Sequence, residues 1–159
     1  LYKRMQNSAQ RRKHTHSILQ GMYIMAKQIV DPAQVKPFVC DESYSSKLLM
    51  DDFVAGTAAI NINEGTLKPG GSTETGVHQE NELYYAVSGQ AILYLDDEPH
   101  DLKPGMVVFI AGGTKHSLHN ESETEDFVLL TMWEKADYNG VHHARIKAWG
   151  TSFKTVDED

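Results

Sequence analysis

Cysteine is almost missing from this sequence of 159 residues, since Cys40 is the only one. A single cysteine excludes a disulfide within the chain, so the fold has to be stabilised by packing or by a bound metal. Proteins without disulfides are typical of reducing compartments, and we therefore expect a cytoplasmic protein.

Long apolar runs are missing as well. No run approaches the roughly 20 residues that a membrane-spanning helix requires, so no membrane partner is expected. Apolar residues make up 40% of the chain and charged residues 23%, which is typical of a globular protein. A chain of this length suits one domain, which buries roughly two-thirds of the surface that the unfolded chain exposes.

Acidic residues are absent from the first 21 positions. Those positions hold five of the 15 lysine and arginine residues, so 10 basic and 22 acidic residues occupy the rest of the chain, whose net charge is −12. An acidic body repels the phosphates of nucleic acid and the surface of an anionic membrane, so neither is expected to bind. A small-molecule substrate or ligand is the expected partner.

The basic start of the chain contains Ser8 and Ser17, and its composition is that of an organelle transit peptide. The same composition fits a leader that precedes Met22 or Met25, or a solvated arm. We predict a basic N-terminal extension or leader over residues 1–21, with organelle targeting as the open alternative. Residues 22–159 are predicted to form a single domain.

Helical periodicity is missing after residue 54, where the apolar pattern alternates with a period of two. Turn residues separate short segments, for example at Ser88-Gly89 and Lys103-Pro104-Gly105. Predicted strands lie at about 47–50, 54–63, 76–80, 82–88, 90–95, 106–110, 116–120 and 126–133. This spacing favours an all-β antiparallel sandwich or barrel, with residues 1–45 and 134–159 covering sheet edges.

Two of these segments, residues 76–82 and 116–120, carry candidate metal ligands. On a regular strand, residues 76, 78, 80 and 82 share one face, which offers His78, Glu80 and Glu82. His116 begins a later strand after a glycine-rich turn, so two facing sheets could bring His78, Glu82 and His116 together. Two imidazoles and one carboxylate form a ligand set for one divalent ion of Fe(II), Mn, Zn, Ni or Co, with coordination positions left open.

The first of these segments resembles the first sequence motif of the cupin superfamily. That motif runs Gly, five residues, His-x-His, three or four residues, Glu, six residues, Gly. Here Gly70 is followed by residues 71–75, Gly76-Val77-His78, residues 79–81, Glu82, residues 83–88 and Gly89. A glycine at position 76 therefore stands where the first metal-binding histidine is usual.

The second segment resembles the second cupin motif, which runs Gly, five residues, Pro-x-Gly, two residues, His, three residues, Asn. Gly105 leads through residues 106–110 to Ala111-Gly112-Gly113, and then to His116 and Asn120. Alanine replaces the usual proline. The 15 residues between Gly89 and Gly105 are similar to the compact spacing of microbial cupins.

The resemblance implies a jelly-roll β-sandwich or barrel, with residues 70–120 as its motif core. It also implies a metal ion on His78, Glu82 and His116. Because Gly76 supplies no ligand, the usual four-ligand site is reduced to three. Glu80 is a second-choice ligand if the strand is bulged, and a degenerate cupin without metal stays an alternative.

The strand after the first motif places Tyr84 and Ala86 in phase with Glu82, facing inward. Tyr84 is expected to line the cavity, either as an acid, base or hydrogen-bond anchor or as a core aromatic residue. Tyr84 and Glu80 are the nearest predicted proton-transfer groups. Five further residues are candidate cavity walls, although core packing is the favoured interpretation for all of them: Phe109, Leu118, Leu129, Thr131 and Trp133.

Cupins include metalloenzymes and noncatalytic binders, so the resemblance does not fix the reaction. The leading hypothesis is a metal-dependent small-molecule enzyme with dioxygenase, isomerase or lyase chemistry, whose substrate binds the open metal positions through oxygen. The alternatives are a noncatalytic cupin that binds a carbohydrate or acts as a regulator, and a metal-free epimerase-like enzyme. A homodimer is expected, because cupins often pair through sheet edges that would otherwise be exposed.

Overall fold

The computed structural model describes residues 29–35, 37–50 and 60–134. The predicted extension over residues 1–21 and the start of the predicted strand 54–63 lie outside the described residues. No helix within the described part of the chain is long and apolar enough to cross a membrane.

Nine strands form two antiparallel sheets in the described residues. The strands are Phe38–Val39 (β1), Tyr44–Met50 (β2), Ile60–Leu67 (β3), Glu82–Ser88 (β4), Ala91–Leu95 (β5), Glu98–Leu102 (β6), Val107–Ile110 (β7), His116–His119 (β8) and Phe127–Glu134 (β9). One sheet has the order β1-β2-β3-β9-β4-β7 and the other β6-β5-β8. A 3-10 turn at Pro32–Gln34 is the one helical element among the described residues.

The inner faces of the two sheets share one hydrophobic core. The six-stranded sheet contributes Leu67, Ala86 and Phe127, all of which are fully buried. The three-stranded sheet contributes Leu93 and its neighbours on β6 and β8. Residues on β9 alternate between buried and half-buried from Phe127 to Trp133, as a strand with one face on the core should. The all-β jelly-roll prediction is confirmed.

The predicted strand at 76–80 is wrong. Gly76 makes an isolated bridge to His116 at the start of β8, whereas Glu82 begins β4 in the other sheet. Residues 77–81 therefore cross from one sheet to the other and cannot pair as a regular strand. Strands that switch sheets in this way form the corners of a β-sandwich.

Strand β6 lies between the predicted strands 90–95 and 106–110 and was not predicted, and a two-residue turn precedes it. The turn consists of Asp96 and Asp97, which both have positive φ, of 49° and 71°, as a two-residue hairpin turn requires. Pro99 is tolerated in the following strand because β6 lies at the edge of its sheet.

Phe109 was a predicted cavity wall, and this prediction is wrong because the side chain is 62% exposed. The buried Glu82 lies directly opposite Ile110 in the β4–β7 pair, so Ile110 faces inward. Its neighbour Phe109 then faces outward, since side chains alternate along a strand. The other predicted walls, Leu118, Leu129, Thr131 and Trp133, are buried.

Candidate metal centre

The three predicted ligands come from a corner where the chain changes sheets twice. Glu82 is the first residue of β4 and His116 the first residue of β8. His78 lies on the crossing segment 77–81, which runs from the bridge at Gly76 to β4. We call His78, Glu82 and His116 the triad.

The side chains of the triad converge. One ligand atom from each residue lies within 4.8 Å of the others. Nε2 of His78 is 3.2 Å from Oε2 of Glu82, and Nε2 of His116 is 3.4 Å from the same oxygen. The two imidazole rings are 5.0 Å apart and nearly perpendicular, at 82°. Glu82 and His116 are buried and His78 is half-buried, so the group is largely screened from water.

Backbone carbonyls orient both imidazoles. Nδ1 of His78 is 3.0 Å from the carbonyl oxygen of Glu80, and Nδ1 of His116 is 2.9 Å from that of Thr114. A carbonyl oxygen only accepts hydrogen bonds, so each Nδ1 carries the hydrogen and donates it. In the neutral ring, Nε2 then presents a lone pair toward Glu82.

Two lone pairs and a carboxylate oxygen thus point at one another. Three acceptors this close repel unless a cation lies between them, and the cation is a metal ion or a proton shared with Glu82. Carbonyl oxygens that fix the second nitrogen of each histidine are the usual outer support of a metal ligand. The triad therefore fits a divalent ion with two nitrogen ligands and one oxygen ligand, and with further positions open.

Gly76 faces these ligand atoms. Its backbone N–H donates to the carbonyl of His116 over 2.9 Å and its own carbonyl accepts from His116 N–H over 3.0 Å, so the two residues are directly opposite. A Cβ placed on Gly76 would lie 3.5 Å from Nε2 of His116, at ordinary van der Waals distance. A longer side chain at position 76 would project toward the triad.

Glu80 lies on the other side of the His78 ring. Its Oε2 is 3.6 Å from Nδ1 of His78, while Nε2 of the same ring faces Glu82. Among the described residues, the converging ligand atoms belong to the three triad residues, and Glu80 is not one of them. The structure therefore places the carboxylate of Glu80 beside the orienting hydrogen bond of His78.

Tyr84 faces inward next to Glu82 on β4, in the predicted phase, and is 7% exposed. Its ring is 6.3 Å from that of His116, at an interplanar angle of 80°. His119 faces away from the triad, as the alternation along β8 requires, and its Nδ1 is 2.8 Å from the Ser72 hydroxyl.

A contact that the sequence did not predict joins the crossing segment 77–81 to the glycine-rich turn of the second motif. The N–H of Gly113 donates to the carbonyl of His78 over 2.7 Å, and the N–H of Gly112 donates to Oδ1 of Asn81 over 3.1 Å. A Cβ on Gly112 would overlap the backbone carbonyl of Gln79. Glycine at position 112 thus lets the second-motif turn close on the segment that carries His78.

Gly112→Ala is expected to weaken metal binding about 10-fold, the scale of losing outer support of a ligand, because the added methyl group pushes residues 78–81 away. Titration of the metal-free variant with Zn²⁺ measures the effect. Gly105→Ala is the matched control, since a Cβ there meets nothing within 4 Å while its φ of +86° imposes backbone strain. A Gly112→Ala protein with the metal affinity of the control would contradict the prediction.

Comparison with known proteins gives a family for this fold. The sequence matches the family described as Cupin domain over residues 63–133, a range that contains the whole triad. None of the curated protein sequences matches the chain significantly.

Solved structures with the same fold come from proteins with different names. The polyketide cyclase RemF from Streptomyces resistomycificus has a TM-score of 0.63 at 22% identity, over 69% of this chain and 80% of that chain. A predicted oxalate decarboxylase from Thermotoga maritima has a TM-score of 0.61 at 22% identity, over 69% of this chain and 100% of that chain. A sugar phosphate isomerase from Silicibacter pomeroyi has a TM-score of 0.59 at 17% identity, over 68% of this chain and 76% of that chain.

At these identities the solved structures show the fold, while the sequence match gives the family. The sequence match over residues 63–133 and the two-sheet fold together support the cupin superfamily, which is the family that the two motifs resemble.

Proposed function

We propose that the chain is a metal-dependent enzyme that acts on a small molecule through oxygen atoms bound at the open metal positions. The observation that carries this proposal is the convergence of three acceptor atoms beside a glycine. Nε2 of His78 and Nε2 of His116 lie 3.2 and 3.4 Å from Oε2 of Glu82. Gly76 offers no side-chain ligand atom, and a Cβ built on it would lie 3.5 Å from Nε2 of His116.

The triad would hold the ion, and the carbonyl oxygens of Glu80 and Thr114 keep Nε2 of each imidazole turned toward the centre of the triad. A bound divalent ion would supply a Lewis acid, or an oxygen-activating centre if it is iron(II). Burial of Glu82 and His116 excludes water and strengthens the attraction between the triad and a cation.

Tyr84 is the residue best placed to move a proton. Its side chain shares the inner face of β4 with Glu82, and its ring lies 6.3 Å from the ring of His116. A phenol at that position can donate to, or accept from, an oxygen of a molecule held beside the triad. Glu80 acts through His78, because its carboxylate lies on the Nδ1 side of that ring.

Three reaction classes fit this arrangement: dioxygenase, isomerase and lyase chemistry. Structural neighbours named as a cyclase, a predicted decarboxylase and an isomerase support a small-molecule enzyme without selecting one class. The acidic body of the protein favours a small ligand over nucleic acid, whose phosphates it would repel.

Metal analysis of protein purified without a nickel column tests the proposal. Iron together with oxygen uptake supports the dioxygenase. Tightly held zinc, nickel, cobalt or manganese without oxygen uptake supports the isomerase or lyase. Substoichiometric metal of every kind, unchanged after dialysis against each ion, would reject the proposal in favour of the noncatalytic binder or the metal-free enzyme.

A second copy of the chain is the proposed partner, and an exposed apolar face supports it. Strand β7 lies at one edge of the described six-stranded sheet. The outer face of β4 and β7 carries side chains that are 38–64% exposed: Tyr85, Val87, Val107 and Phe109. Apolar faces of this kind mark interaction sites, and an unpaired strand edge favours pairing with another chain.

Sedimentation is expected to show a dimer at tens of micromolar, on the order of the concentrations at which standard-sized interfaces are saturated. Phe109→Lys should shift the protein toward the monomer, because it puts a charge in the apolar face. Val39→Lys is the control, since Val39 is 65% exposed on β1 at the opposite edge of the sheet. A wild-type monomer at that concentration would contradict the proposal.

The cytoplasmic location stays a prediction. It rests on the single cysteine, Cys40, which is exposed and which a reducing compartment would keep as a thiol.

A further inference from the structure

Asn63 lies in the interior of the sandwich, and its side-chain amide has no hydrogen-bond partner among the described residues. The residue is 2% exposed and sits on the inner face of β3. Both Oδ1 and Nδ2 are buried, and neither makes a hydrogen bond to any group of the described residues. A primary amide offers two donors and an accepting oxygen, so several hydrogen bonds are missing at this position.

The other two buried asparagines of the described residues are hydrogen-bonded. Nδ2 of Asn61 donates to the carbonyl of Glu134 over 3.3 Å. Nδ2 of Asn120 donates to the carbonyls of Leu67 and Glu125 over 3.0 and 2.8 Å. An unpaired buried amide costs free energy that an apolar residue of the same size would not cost. Asn63 therefore lacks the hydrogen bonds by which Asn61 and Asn120 stabilise the fold.

The position of Asn63 links it to the candidate metal centre. On the shared inner face, Asn63 pairs with Thr131 of β9, and Thr131 pairs with Tyr84 of β4. Glu82 is the next inward residue of β4 after Tyr84. Adjacent strands are about 4.8 Å apart, so Asn63 lies two strands, or roughly 10 Å along the sheet, from Tyr84.

We propose that Asn63 binds the far end of the molecule whose near end occupies the open metal position. The inference rests on the proposed function and adds a substrate class to it. The molecule would carry a metal-binding carboxylate at one end and a group that both donates and accepts, such as a hydroxyl, at the other. Nδ2 would donate to that hydroxyl oxygen, and Oδ1 would accept its hydrogen.

The test uses a matched pair of ligands, 6-hydroxyhexanoate and heptanoate, which differ by a terminal hydroxyl in place of a methyl group. The shorter pairs 5-hydroxypentanoate with hexanoate and 4-hydroxybutanoate with pentanoate set the length. Calorimetric titration of the Zn²⁺-loaded protein should show that at least one hydroxy acid binds 5-fold or more tightly than its partner. A site built to bond a hydroxyl penalises its absence, because the buried amide stays unpaired.

Asn63→Val should reverse this preference, so that the alkyl acid binds more tightly, while affinity for Zn²⁺ and for acetate stays within 2-fold of wild type. Asn63→Ala serves the same purpose if the valine variant does not fold. Equal binding of hydroxy and alkyl acids by the wild-type protein at every length would overturn the inference. So would a preference that survives in Asn63→Val.

These outcomes separate the inference from the proposed function. If the wild-type protein binds none of Zn²⁺, Fe²⁺, Mn²⁺, Ni²⁺ and Co²⁺, the proposed function fails and this inference fails with it. If the metal and acetate bind but no hydroxy acid is preferred, the metal centre stands and the role of Asn63 is refuted.

Discussion

His116→Ala is expected to abolish stoichiometric metal binding, with an affinity at least 100-fold lower than that of the wild-type protein. Loss of a residue that hydrogen-bonds to a metal ligand costs about 10- to 100-fold in metal affinity. Loss of the ligand itself also removes a bond to the ion. Glu82→Gln should have an effect of similar size, because it removes the one negative charge of the triad and leaves the shape of the side chain. Metal content after gel filtration and titration with Zn²⁺ measure both variants.

Two controls on neighbouring residues make this result specific. His119→Ala removes a histidine from the same strand as His116, but that ring faces away and contacts the Ser72 hydroxyl. Glu80→Gln removes a carboxylate 3.6 Å from Nδ1 of His78, outside the converging group. Both should retain one metal per chain, with less than a 10-fold loss of affinity. Unchanged metal content in His116→Ala would instead show that the motif no longer binds metal.

The fold and the triad could be predicted because both leave local signals in the sequence. Ile60 and Ile62 alternate with Asn61 and Asn63, and this period of two residues is typical of a strand. Residues 82–88 were predicted as a strand, and β4 has those bounds. His78, Glu82 and His116 could be predicted as a group because they occupy set positions in the two motifs, whose spacing depends on the lengths of the turns in the cupin fold.

The corner that holds the triad could not be predicted from alternation. A regular strand over residues 76–82 would put residues 76, 78, 80 and 82 on one face, and this assumption fails where the chain changes sheet. The bridge from Gly76 to β8 and the pairing of Glu82 with Trp133 in β9 show that it does change. A regular strand would have put Glu80 on the same face as His78 and Glu82. Because residues 77–81 cross between the sheets, Glu80 lies instead on the Nδ1 side of the His78 ring.

Asn63 and Gly112 were missed for a different physical reason. The importance of each depends on residues far along the chain, which come close only through sheet pairing or loop contact. Asn63 is next to Thr131 across the β3–β9 pair, and Gly112 packs on the backbone of Gln79. In the sequence, Asn63 has the pattern of an outward polar residue and Gly112 that of an ordinary turn.

The missing histidine of the first motif carries the second large expected effect. Gly76 is directly opposite His116, and its Cβ direction points at Nε2 of that ring from 3.5 Å. Gly76→His should therefore add a fourth ligand on the side that the wild-type protein leaves open. We expect the variant to hold Zn²⁺ at least 10-fold more tightly, because the added imidazole makes one more bond to the ion.

The same substitution should block the site. An imidazole in the open position competes with any ligand that binds the metal through oxygen, so acetate binding to the Zn²⁺-loaded protein should fall at least 10-fold and turnover of the natural substrate should be lost. Gly76→Ala is the control, since its methyl group fits at van der Waals distance and offers no ligand atom; metal affinity and acetate binding should stay near wild type. If Gly76→His gains metal affinity yet keeps full acetate binding and turnover, the substrate does not use the position beside Gly76, and Tyr84 rather than the open coordination site would have to orient it.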